Sequence, residues 1–119
     1  WFDRALQVPG NASAGGAMAN AGRCALDAGQ VERAERDLRA ALVMAPGNPV
    51  ALEAMAQLNF RRGQFFEARA FAERRIAAEP ATRSVLQLAS EIEARLGDQA
   101  ASDRYLQRIR QEFPQDAGS

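Results

Sequence analysis

The sequence predicts an all-α chain built as an array of antiparallel helix pairs, and three observations predict it. Gly29, Gly63 and Gly97 recur every 34 residues, and so do Pro46, Pro80 and Pro114. Neither residue type belongs inside a helix, so this double beat marks two turns in each unit. Alanine supplies 26 of the 119 residues while β-branched residues are sparse, a bias that favours helix over strand.

The elements follow in order. The opening stretch WFDRAL, followed by Gln-Val-Pro-Gly-Asn, reads as the last turns of an amphipathic helix. Aligning Ala5-Leu6 with Ala41-Leu42 puts Phe2 on the position of Leu38. Residues 1–7 are therefore expected to be the tail of a truncated upstream repeat helix, and 8–14 a flexible linker. Helices are expected at about 15–28, 31–44, 49–62, 65–78, 82–96 and 99–112, forming units over 15–48, 49–82 and 83–114. Pro49 suits a first helical turn, and 115–119 reads as a frayed tail.

Small residues keep the same interval. Gly22, Ala56 and Ser90 fall seven positions before each turn glycine, and Ala34, Ala68 and Ser102 five after it. Two helices joined by a tight turn approach closely where both carry small side chains. Larger apolar residues fill the spacing between them: Met18, Leu52 and Leu86, then Cys24, Leu58 and Ile92, with Leu38 and Leu106 in the second helices. By this register Cys24 is a core residue. The third unit is weaker, with Ser102 in place of alanine and Gln99 where Val31 and Phe65 supply bulk.

Composition narrows the chemistry. The 15 basic and 15 acidic residues balance and interleave, so no nucleic-acid or anionic-membrane surface is expected. All the basic residues are Arg, and there is no His to act as general base or metal ligand. One cysteine excludes an internal disulfide and a cysteine-only metal site. GNASAGG lacks the Lys and the strand–loop–helix setting of a phosphate loop. The sequence therefore predicts no enzyme, no metal, no cofactor and no small-molecule substrate.

A 34-residue helix–turn–helix unit with small residues at its eighth and twentieth positions and Pro near its end resembles the tetratricopeptide repeat. GQFFEARAFAERRIAAEP is the clearest copy. The resemblance implies a right-handed superhelix whose first helices line a concave, protein-binding groove. Groove positions of that family fall here on Arg23, Leu26 and Asp27, on Glu53, Gln57, Phe60 and Arg61, and on Gln87, Glu91 and Arg95. Phe60 beside Arg61 is the expected hot spot, since aromatics and Arg dominate interface energetics; the alternative is that Phe60 packs on a neighbouring helix. Ala19 and Glu53 depart from the basic and amide set with which some relatives clamp a C-terminal carboxylate, so chaperone-tail binding is not expected.

Three stretches also resemble the PilF/PilW family of type IV pilus biogenesis lipoproteins: NAGRCALDAGQVERAERDLRAAL, NPVALEAMAQLNFRRGQFFEARAF and AASDRYLQRIRQEFPQD. That resemblance implies a pilotin that binds the outer-membrane secretin and promotes its localisation and multimerisation. It would face the periplasm, and reach the membrane only through a lipid anchor upstream of residue 1. Two other readings stay open: a tetratricopeptide adaptor in another bacterial envelope secretion or export assembly, and the repeat module of a larger enzyme.

Overall fold

The computed structural model describes the backbone of residues 2–114 and the side chains of residues 14–114. The described residues form six α-helices and no strand: α1 (Phe2–Asp27), α2 (Val31–Met44), α3 (Pro49–Arg61), α4 (Phe65–Ala78), α5 (Arg83–Arg95) and α6 (Gln99–Glu112). They pair as three hairpins, α1–α2, α3–α4 and α5–α6, each stacked on the one before it. The chain is an α-helical repeat array.

The glycine beat has a backbone cause. Gly29, Gly63 and Gly97 have φ of 81°, 75° and 84°, the left-handed region that a side chain would oppose. Each sits just past the end of a first helix. The amides of Gln30, Gln64 and Asp98 then reach back to the carbonyls of Ala25, Asn59 and Glu93 at 2.8–2.9 Å, closing the helix ends in the same manner three times. Helix starts are set by side chains: the oxygens of Asn48, Thr82 and Asp98 accept from the amides of Ala51, Val85 and Ala101.

Small residues permit the close approach within each hairpin. A Cβ added to Gly22 would stand 2.6 Å from Leu38 Cγ, so α1 touches α2 at a point with no room for a methyl group. Ala56 and Ala68 are fully buried between α3 and α4. In the third hairpin, Ser90 and Ser102 occupy the corresponding positions, and their hydroxyls meet at 2.8 Å, so polar contact replaces alanine packing without separating the helices. The stack is filled by Ala19, Leu26, Leu38, Met55 and Leu58 at the first joint and by Ala56, Ala72, Ala89 and Ile92 at the second.

Several expectations are corrected. The backbone of segment 8–14 is helical, continuous with α1, where Pro9 and Gly10 predict a linker. Alanines at 12, 14, 17 and 19 favour helix there, although Pro9 lacks an amide for the ladder and its ring crowds the preceding turn. Side chains of 1–13, including the proposed match of Phe2 to Leu38, and the tail 115–119 lie outside the described residues. Cys24 is exposed, not core. Leu58 and Ile92 are buried because a preceding hairpin covers them; among the described residues no hairpin precedes α1. Leu106 is 38% exposed, unlike its counterpart Leu38.

Ion pairs reinforce the joints between hairpins. Arg69 on α4 holds Glu93 on α5 through two hydrogen bonds, of 2.9 and 2.6 Å, and Glu93 is only 5% exposed. Arg62 at the end of α3 bonds Glu35 on α2 at 2.8 Å, while Arg39 bonds the other oxygen of the same carboxylate. The two guanidinium hydrogen bonds, Arg62 first, hold the Glu35 carboxyl below its ordinary range.

Candidate functional site

Three first helices run side by side along one face, and the expected groove residues divide sharply there. Leu26 is 0% exposed and belongs to the core joint with Leu58, so it does not face the groove. The register places it on α1 at the boundary of the inward face, and stacking of α3 carries it under.

Arg61 is recruited to structure. Its guanidinium donates to the Leu26 carbonyl at 2.8 Å, using the second lone pair of an acceptor that also takes the Gly29 amide at 3.0 Å. Phe60 is half-buried. Its ring stands edge-on to Phe65 with centroids 5.5 Å apart, and the Arg95 guanidinium lies 5.1 Å from its centroid and 5.8 Å from that of Phe65. Arg95 thus ties the third hairpin to the aromatic edge of the second, and Phe60 packs on neighbouring elements, the alternative that the sequence left open.

Glu53 is also engaged. Ser84 donates to it at 2.8 Å, and Arg75 Nε lies 4.0 Å from its other oxygen. Arg75 is 5% exposed and donates to the carbonyls of Glu79 and Pro80, so it fastens the turn between α4 and α5. Its Nε is buried without a hydrogen-bond partner, which makes the Glu53 carboxylate the charge that compensates it.

Arg23, Asp27, Gln57, Gln87 and Glu91 remain at the surface of the first helices. Gln87 accepts from Arg83 at 3.3 Å. Arg23, Gln57 and Glu91 stand 34 residues apart and make no side-chain hydrogen bond or ion pair among the described residues. Arg23, Glu53 and Gln57 share one cavity of about 300 Å³, whose apolar floor is Val50 and Ala54 and whose far rim is Thr82 and Ser84. Three first-helix segments therefore contribute to a single concavity.

A larger cavity, of about 590 Å³, lies between α4 and α6 around Tyr105. Its charged groups are largely committed: Arg69 to Glu93, Arg108 to Glu112, and Asp98 to the Ala101 amide. Burial pushes the Tyr105 hydroxyl above its ordinary range, with the Glu73 and Glu93 carboxylates adding to the shift. The sequence reading missed both Arg69–Glu93 and Arg75. The signal was present in part, since Glu93 shares its repeat position with Ala25 and Asn59, where a carboxylate needs a partner. Among the described residues, no group of three or more His, Cys, Asp or Glu comes together to hold a metal. No described helix is long and apolar enough to cross a membrane.

Comparison with known proteins agrees with this architecture. The family model for the tetratricopeptide repeat matches residues 25–92. No curated protein matches the chain. Among solved structures, the chain is similar to the crystal structure of PilW, a widely conserved type IV pilus biogenesis factor. The TM-score is 0.73 at 27% identity, over 82% of this chain and 45% of that one. The chain thus spans less than half the length of PilW.

Proposed function

The chain belongs to the tetratricopeptide-repeat family, and from that premise we propose that it is a non-enzymatic scaffold of type IV pilus biogenesis. In this reading it belongs to a pilotin, which captures the outer-membrane secretin subunit and promotes its localisation and multimerisation. The observation that carries the reading is the likeness to PilW, a type IV pilus biogenesis factor, over 82% of the chain. The three sequence stretches that resemble the PilF/PilW family add to it.

The physical requirement is a preformed surface. Stacked hairpins with fixed turns and ion-paired joints present one without the cost of ordering a loop on binding. In this reading the first-helix face, with Arg23, Gln57 and Glu91 uncommitted, is the surface used for recognition. A lipid anchor upstream of residue 1 would hold the whole protein at the periplasmic face of the outer membrane.

The test is genetic and biochemical together. Deleting the gene from its host should remove secretin multimers from the outer membrane, and the restored gene should bring them back. The purified protein should also capture the secretin subunit directly. Normal multimers in the deletion strain, with no capture in vitro, would contradict the pilotin role.

A further inference from the structure

We infer that the first-helix groove takes an extended segment of its partner that carries one acidic and one basic side chain about six residues apart. The acidic side chain lies over α1 and the basic one over α5. The inference rests on the scaffold reading above and specifies the chemistry of what that scaffold grips.

Several charged groups along the groove are already engaged. Glu53 is held by Ser84 and faces Arg75. Arg61 is bound to the Leu26 carbonyl, and Arg95 lies against two phenylalanine rings. Asp27 is exposed, but its counterparts at the same repeat position, Arg61 and Arg95, are both engaged. One groove position is uncommitted in all three first helices: Arg23, Gln57 and Glu91. The free row therefore runs from cation through amide to anion.

Each member suits a different task. The Gln57 amide can donate and accept at once, which matches the alternating N–H and C=O of an extended backbone. Beside it, the cavity of about 300 Å³ floored by Val50 and Ala54 has room for one modest apolar side chain between α1 and α3. Arg23 offers a planar fork for a carboxylate, and Glu91 accepts from a Lys or Arg.

Geometry sets the spacing. Packed helices lie about 8–10 Å apart, so the row from α1 to α5 covers roughly 20 Å. An extended chain advances about 3.3 Å per residue, so its two charges must be about six residues apart. A helical segment would cover the same distance in about thirteen residues and could not meet Gln57 with its backbone. Charge order selects which end of the segment lies over α1, because a like charge at either end meets repulsion.

The experiment uses capped seven-residue peptides with a Val near the first charged residue and a fluorescent label. One peptide carries Asp and Arg at its two ends, one carries Asp at both, and one Arg at both. At low salt the protein should bind the mixed peptide about five- to tenfold more tightly than either control, a preference that fades with added salt. Arg23→Glu should shift the preference to the Arg–Arg peptide, and Glu91→Arg to the Asp–Asp peptide. Both positions are exposed, and matched thermal melts check that the variants fold. Equal affinity for all three peptides, or binding of none, overturns the inference on the parent protein alone. Unshifted preferences in the folded variants overturn it as well. Secretin capture by parent and variants separates the two readings. If the parent captures secretin and both charge variants do so equally, the groove chemistry is wrong and the scaffold role stands. If the parent shows the peptide preference but captures no secretin, the reverse holds.

Discussion

Arg61 on α3 donates to the Leu26 carbonyl at the end of α1 at 2.8 Å, beside the Gly29 amide at 3.0 Å, so one side chain ties the second hairpin to the turn of the first. A residue expected to be a binding hot spot is thereby a structural one. Arg61→Ala should lower stability by about 1 kcal/mol in urea unfolding, the scale of a partly exposed charged hydrogen bond. An Arg61→Ala variant with parental stability but poor partner capture would contradict this structural role.

The Gly22–Leu38 contact tests the helix spacing. Gly22→Ala sets a methyl group 2.6 Å from Leu38 Cγ, and the fully buried leucine has little room to yield. A loss of about 1–3 kcal/mol is expected despite the better helix propensity of alanine. Ala68→Phe, at another fully buried contact, should cost at least as much. Parental melting of both variants would show that the hairpins are not in contact there.

The pair Arg69–Glu93 should show strong coupling. Arg69→Met leaves Glu93, 5% exposed, without its partner, and should cost about 3 kcal/mol. Adding Glu93→Leu should recover most of that loss. A double-mutant cycle in denaturant measures it; additive effects would mean that the pair does not interact in solution.

Glu35 gives a dependence on pH. Its folded carboxyl titrates below the ordinary 4.5, chiefly through the Arg62 and Arg39 hydrogen bonds. A depressed folded value means that its stabilisation is complete above about 4.5 and is lost as pH falls through the folded value. Glu35→Gln should therefore destabilise the protein at pH 7 and matter progressively less on acidification toward pH 3. A stability difference that stays constant across this range would contradict the assignment.

The exposed Cys24 should react with a thiol reagent in the native protein, one equivalent at a rate close to that of the unfolded chain. Protection in native buffer and release in denaturant would place the thiol in a packed contact.

What could be read from the sequence was whatever is fixed locally. The turn glycines need positive φ wherever they stand, so their 34-residue interval located each hairpin before any packing was known. Gly22 and Ala68 were legible because a close approach excludes bulk on both sides. Cys24 was not, because its burial depends on what lies across from it and not on its register. Leu58 and Ile92 have a preceding hairpin over them, and Cys24 has none among the described residues. The candidate site was legible as a face and not as a set of free groups. Glu53, Arg61 and Arg95 each found a distant partner, and such pairings leave no trace in a single sequence.

In the proposed role, recognition belongs to the first helices. Hydrogen–deuterium exchange of the protein with and without the secretin subunit tests it most directly. New protection should map to α1, α3 and α5 around Arg23, Gln57 and Glu91, with α2, α4 and α6 unchanged. Protection confined to the second helices, or absent when the subunit is bound, would contradict it.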